Sequence, residues 1–254
     1  SLKGMQNFME DFEKSPIEAF KITQTDHDAF TVGENLAMTP GEVVFKNELI
    51  ELIHYNPTVA KTNELPLLFV PPFINKFYVL DLDERKSAIK ALLDAGNDLF
   101  VISWINPEAD LAAYDFTDYM KKGPIAALDA VCEITKAKQV NLTGFCVGGT
   151  LSSVTTAYLR AQGDTRIASL TLLTTLLDFS EPGEIANYLS EEMLPVIENN
   201  ADMKGIFDGR ILALSFSLLR ENSLKACLKE PSCLRSMACG VWQVLLVPLL
   251  DSEC

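Results

Sequence analysis

The chain has 254 residues, 48% of them hydrophobic and 22% charged, which is enough apolar material for a full core. This composition excludes a disordered tail protein, a collagen-like repeat and a small disulfide scaffold. Lys and Arg total 21 against 35 Asp and Glu, a net charge of −14, so phosphate backbones are repelled and nucleic acid is not an expected partner.

Residues 3–14 carry Met5, Phe8, Met9 and Phe12 behind Leu2 at helical spacing and predict a short amphipathic helix. The early acids Glu10, Asp11 and Glu13 argue against a secretory signal, and Ser1 reads as the start of an excerpt. Residues 42–55 predict two strands around a break at Lys46-Asn47. A strand–helix alternation follows. The predicted strands are Leu67–Val70, Leu99–Trp104, Val140–Thr143 and Ile167–Leu173. The predicted helices are Asp83–Ala95, Asp115–Lys136 with an interruption near Gly123-Pro124, and Gly149–Ala161. Continuous apolar strands alternating with helices imply an α/β fold, a mostly parallel sheet covered on both faces.

From Asp178 to Arg220 the pattern is helical and strandless, as expected of a cap inserted over the sheet. Residues 223–254 hold Lys225, Lys229 and Arg235 against Glu230, Asp251 and Glu253, so the whole −14 lies in 1–222. They also hold Cys227, Cys233, Cys239 and Cys254, and no regular period. The sheet is therefore expected to be incomplete at the C-terminus, with an unpaired edge after its fourth strand. The expected division is 1–60, an N-terminal helical and β segment; 61–178, the α/β core; 179–222, the start of the cap; and 223–254, an atypical tail. The most apolar stretch, Val241 to Leu250, contains Gln243 and Pro248 and is shorter than the ~18 residues of a membrane span. Cysteine placement favours a reducing cytoplasm.

Gly144-Phe145-Cys146-Val147-Gly148 fits G-x-C-x-G between a strand and a helix, the nucleophile-elbow pattern with Cys in place of Ser. A strand turning sharply into a helix strains the central residue and exposes its side chain at the carboxyl end of the sheet, and the flanking glycines let neighbouring chain approach. The helix dipole favours a thiolate at Cys146, and the Val147 N–H would face a developing oxyanion. Cys132, among Ala130, Val131 and Ile134, reads as core. A thiolate that attacks a thioester makes another thioester, so the acyl group stays activated. Cys at the elbow therefore suits transfer from a thioester donor to a hydroxyl acceptor.

Pro71-Pro72-Phe73-Ile74-Asn75-Lys76 follows a strand, where an elbow fold places its second oxyanion donor, here the backbone of Phe73 or Ile74; the segment reads equally as a rigid Pro-Pro loop that merely ends the strand. Lys76 could attract an anionic substrate or be a solvated surface residue. A triad also needs a base and an orienter after the nucleophile. The two histidines are His27, in a polar turn, and His54, in a strand-like run that suggests a structural role. Asp178 opens the cap and is not expected to be the acid. No metal-ligand cluster is expected.

PPFINKFYVLDL at 71–82, FVISWINP at 100–107, GPIAALDA at 123–130, VNLTGFCVGGTL at 140–151 and LLTTLLDFSEPGE at 172–184 resemble the polyhydroxyalkanoate (poly-3-hydroxybutyrate) synthases. TPGEVVFKNELIELIHYNPT at 39–58 is similar to the segment before that family's core, and the class without a second subunit type resembles the chain most. The resemblance implies an α/β-hydrolase-type domain with a helical cap. It implies an acyltransferase that polymerises (R)-3-hydroxyacyl-CoA into polyester and releases CoA, a leaving group and not a cofactor. Cys146 would hold the growing chain. The family's His and Asp lie downstream of the elbow, in a region absent from these residues, so little polymerase activity is expected of 1–254 alone. The resemblance further implies a homodimer in the cytoplasm at polyester granules. The 223–254 stretch departs from the family, as a shifted reading frame, a mis-spliced gene model or an excerpt would produce. The competing readings are a thiol-type esterase or depolymerase on the same fold and a non-catalytic truncated relic.

Overall fold

The computed structural model describes residues 30–180 and the backbone of 245–248. The N-terminal helix expected at 3–14, His27, the cap from 181 and the rest of the tail lie outside the described residues.

Among the described residues seven strands form one sheet: β1 (Gly41–Lys46), β2 (Ile50–Tyr55), β3 (Leu67–Val70), β4 (Leu99–Trp104), β5 (Val140–Phe145), β6 (Ile167–Leu173) and β7 (Leu245–Pro248), in spatial order β1-β2-β4-β3-β5-β6-β7. The four central strands β4, β3, β5 and β6 are parallel, and β1, β2 and β7 pair antiparallel. The helices are α1 (Ala88–Asp94), α2 (Phe116–Met120), α3 (Ala126–Thr135) and α4 (Val147–Ala161). This is the mostly parallel α/β sheet, covered by helices on both faces, that the strand–helix alternation predicts.

Side chains alternate across the sheet with the period of two that strands impose. Leu68, Val70, Phe100, Ile102 and Leu142 pack on one face against Ala127 and Val131 of α3 and Leu151 and Leu159 of α4. Leu67, Phe69, Leu99 and Val101 pack on the other face with Ile89 and Leu93 of α1. The apolar strands have no polar face because both faces are covered.

Two expectations are corrected, and a third, the interrupted helix, takes a specific form. The helix predicted from Asp83 begins at Ala88. The Asp83 carboxylate accepts from the N–H groups of Arg85 (2.8 Å) and Lys86 (3.0 Å), which makes a local turn, and Ser87 caps the helix by accepting from Lys90 N–H at 2.9 Å. The interruption at Gly123-Pro124 is a π turn, Lys121–Ile125, that joins α2 to α3 without breaking the helical path. Proline donates no N–H, and the wider turn accommodates it. The edge of β6 is also not open, since β7 pairs along it with Leu245 opposite Leu172 and Pro248 opposite Ser169.

The connections point to one place. β3 and β5 are neighbours, yet α1, which follows β3, covers one face, and α4, which follows β5, covers the other. Where crossovers from adjacent parallel strands diverge, the chain leaves a crevice at the carboxyl ends of those strands.

Candidate active site

That crevice lies between Val70-Pro71 and Phe145-Cys146. A single residue, Cys146, separates the last residue of β5 from the first of α4. Its backbone sits at φ 53° and ψ −127°, a region an L side chain occupies only under constraint. The constraint is visible on both sides. Cys146 N–H donates to Leu173 O at 2.9 Å, and Cys146 O accepts from Gly149 N–H at 2.9 Å and Thr150 N–H at 3.3 Å.

The glycines are required by contact. A Cβ on Gly144 would collide with Gly149 Cα and sit 2.9 Å from Gly148 O. One on Gly148 would overlap Val70 O and lie 2.6 Å from Pro71 O. One on Gly149 would strike Thr175. The elbow thus meets the β3 loop at backbone contact and the β6 loop through the Thr175 side chain, and Thr150 Oγ1 ties the β6 loop further by donating to Leu176 O at 2.8 Å.

Cys146 is half-buried and belongs to neither core cluster. Cys132 is also half-buried but packs against the core, and burial pushes its thiol pKa up. Val147 opens α4, so its N–H is one of the donors that a helix N-terminus leaves without an intrahelical partner. Among the described residues, neither Phe73 N–H nor Ile74 N–H donates to a protein acceptor. Phe73 is partly buried against the core, whereas Ile74 is 46% exposed.

Lys76 Nζ reaches Asn106 Oδ1 and bridges the loops after β3 and β4. Burial lowers its pKa, and among the described residues its side chain bonds an amide rather than an acid. Ile74, Ile105, Leu176, Leu177 and Phe179, from the loops after β3, β4 and β6, are exposed at this same end of the sheet.

His54 is placed elsewhere. It pairs with Phe100 across β2 and β4, and Phe100 is level with Leu68 and Leu142. Cys146 lies four residues beyond Leu142 and three strand spacings across, about 19 Å from His54 at ~3.3 Å per residue and ~4.8 Å per strand. The imidazole stacks on Phe100, with centroids 4.0 Å apart, and its Nε2 is 2.7 Å from Asp98 Oδ1. This is the structural role the sequence suggests. Among the described residues no metal-ligating group of His, Cys, Asp and Glu forms, and no helix is long and apolar enough to cross a membrane.

Sequence reasoning gave no role to Trp104 or Tyr119. Trp104 Nε1 donates to Pro71 O at 2.8 Å, Trp104 stacks on Tyr119 at 5.7 Å, and Phe73 packs against both rings. The available signal was a Trp at the carboxyl end of a strand beside a Pro-Pro loop.

Residues 1–92 match the family model described as poly-beta-hydroxybutyrate polymerase (PhaC) N-terminus. The chain is 43% identical over 223 residues to a poly(3-hydroxyalkanoate) polymerase of Methylorubrum extorquens, covering 88% of this chain and 37% of that one. It is 40% identical over 228 residues to the poly(3-hydroxyalkanoate) polymerase subunit PhaC of Cupriavidus necator, covering 87% and 38%. The chain therefore spans less than two fifths of the length of these curated relatives. Among solved structures, the epoxide hydrolase VrEH1 of Vigna radiata aligns over 56% of this chain and 38% of its own at 14% identity, with a TM-score of 0.35.

Proposed function

The chain belongs, over most of its length, to the poly(3-hydroxyalkanoate) polymerase family, and from that premise we propose that Cys146 is the residue that takes up the acyl group. The observation that carries this reading is where the fold places Cys146. Cys146 is a strained, half-buried residue at the divergence of β3 and β5, ahead of a helix N-terminus and beside a loop whose Phe73 and Ile74 N–H groups meet no acceptor among the described residues.

The thiolate of Cys146 attacks the thioester carbonyl of an (R)-3-hydroxyacyl-CoA. The negative charge that develops on the carbonyl oxygen is met by Val147 N–H and by Phe73 N–H or Ile74 N–H. The tetrahedral species collapses by breaking the bond to the CoA sulfur. CoA leaves as the thiolate and takes a proton from water, and the acyl group remains on Sγ as a thioester. Elongation then has the hydroxyl of another hydroxyacyl unit attack that carbonyl. An ester forms, the Cys146 thiolate is returned, and the hydroxyl proton passes to a base. The apolar rim of Ile74, Ile105, Leu176 and Leu177 suits the hydrocarbon part of the acyl chain. No cofactor is required, since CoA is a leaving group.

His54 is too far away to be the base. The resemblance implies that the base and its orienting acid lie outside the segment that matches the relatives, so the step assigned to these residues is the acylation of Cys146. The division at 1–60, 61–178, 179–222 and 223–254, a homodimer, and a cytoplasmic location at the surface of a polyester granule complete the proposal.

The test is intact-mass analysis of the chain and of Cys146→Ala after incubation with 3-hydroxybutyryl-CoA, with peptide mapping of the adduct. One hydroxybutyryl group on Cys146, one equivalent of CoA released and no adduct in the variant are expected. An adduct that survives in Cys146→Ala overturns the assignment. If CoA release runs far beyond one equivalent, its product separates polymerisation, which supports the acyltransferase reading, from hydrolysis, which overturns it.

A further inference from the structure

Pro71 opens the loop that offers the second oxyanion donor, and its carbonyl is the loop's first polar handle. The peptide it forms with Pro72 has no N–H, so this buried group can be fixed only through its oxygen. Two groups converge on that oxygen. On one side lies Gly148 of the elbow, where a Cβ would come within 2.6 Å of it. On the other, the indole Nε1 of Trp104 donates to it at 2.8 Å in a fully buried hydrogen bond.

The indole is itself held. Trp104, the last residue of β4, is 5% exposed. Its ring stacks on Tyr119 at 5.7 Å and meets Phe73 edge-on at 6.0 Å, and Gly123 lies against its far edge, so close that a Cβ there would overlap the ring. Phe73 also packs on Tyr119 at 5.1 Å. One side chain therefore fixes the carbonyl two residues before the Phe73 N–H and touches the side chain that follows that N–H.

We propose that Trp104 is a positioning residue for acyl transfer, setting the direction of the Phe73 and Ile74 N–H groups through its hydrogen bond to Pro71 O and its contact with the Phe73 ring. Oxyanion stabilisation depends on donors being aimed before the charge appears, and a displacement of about 1 Å can cost on the order of 100-fold in rate. The proposal rests on the reading of Cys146 as the acyl acceptor, and two reactions of the same sulfur separate the two ideas. Alkylation by iodoacetamide is displacement at saturated carbon: the S–C bond forms, iodide leaves and no oxyanion develops. Acylation by 3-hydroxybutyryl-CoA passes through one.

Trp104→Phe keeps an aromatic ring against Tyr119 and Phe73 and removes the N–H. The full chain and this variant are compared at a temperature below both unfolding midpoints. Acylation of Cys146 is expected to fall at least about tenfold, with alkylation within about twofold. A purely structural role would move both rates together or neither, and either outcome overturns the proposal. If Trp104→Phe does not fold, benzothienylalanine at position 104 removes the N–H at nearly constant shape and is judged by the same ratio. Alkylation without any acylation in the unaltered chain overturns the acyl-acceptor reading and this proposal with it. Normal acylation with an unchanged ratio in the variant overturns this proposal alone.

Discussion

At φ 53° and ψ −127°, Cys146 occupies backbone that costs a residue with a Cβ roughly 1–3 kcal/mol. The cost persists because three hydrogen bonds and the close approach of Gly144, Gly148 and Gly149 leave the turn no alternative path. Glycine would relieve it, against a penalty of about 0.5–1 kcal/mol for its larger freedom when unfolded. Cys146→Gly should therefore be more stable than Cys146→Ala by about 1 kcal/mol, although an ordinary helix-boundary site favours Ala. Urea denaturation of the two variants decides it, and a higher midpoint for Cys146→Ala would show that the turn is not strained. The residue pattern carried this much in advance, because G-x-C-x-G between a strand and a helix has few other physical uses. It could not show which atoms press on each glycine, since Val70, Pro71 and Thr175 come from distant segments.

Among the elements, the π turn at Lys121–Ile125 does the least expected work. It brings Gly123 against the Trp104 ring and so ties the α2–α3 path to the β3 loop through one indole. A methyl group at Gly123 would overlap Trp104 Cη2 and sit 2.9 Å from Cζ3. The ring cannot retreat without disturbing the bond to Pro71 O and the stack on Tyr119. Gly123→Ala should cost about 2–3 kcal/mol by overpacking, read from chemical denaturation, and a loss below about 0.5 kcal/mol would show slack around the indole. Strands were the most legible elements, because LLFV, LFVISW and IASLTLL are apolar on both faces and bounded by turn residues. The start of α1 was not legible, because Asp83 and Ser87 are both good caps and local sequence does not say that Asp83 would spend its carboxylate on a turn. The aromatic cluster was invisible for a different reason. Phe73, Trp104 and Tyr119 are brought together only by the register of β3 beside β4 and the path of α2.

At the scale of the whole molecule the sheet has two unlike ends. The carboxyl ends of β3, β5 and β6 meet at Cys146, while the opposite end buries polar groups that serve the fold. There the carboxylate of Asp81, itself 3% exposed, accepts from Thr39 N–H at 3.1 Å and Thr39 Oγ1 at 2.8 Å. Tyr55 at the end of β2 is 2% exposed, and its pKa is raised well above the usual tyrosine value, first by burial and then by the Asp81 charge. The neutral phenol is the form the fold tolerates, so its contribution is fully present below the unfolded pKa of about 10. Above that pH the unfolded chain releases a proton that the folded chain keeps. The unfolded state then binds fewer protons, and stability falls as pH rises, with a limiting slope of about 1.4 kcal/mol per pH unit for this one group. Lysines titrate in the same range, so the informative quantity is a difference. Tyr55→Phe keeps the ring among Leu67, Leu99 and Ile89 and removes the ionisable oxygen. Between pH 9 and pH 11 the variant should lose stability more slowly than the unaltered chain, and parallel urea-denaturation curves across that range would mean that the Tyr55 phenol ionises as freely in the folded state as in the unfolded one.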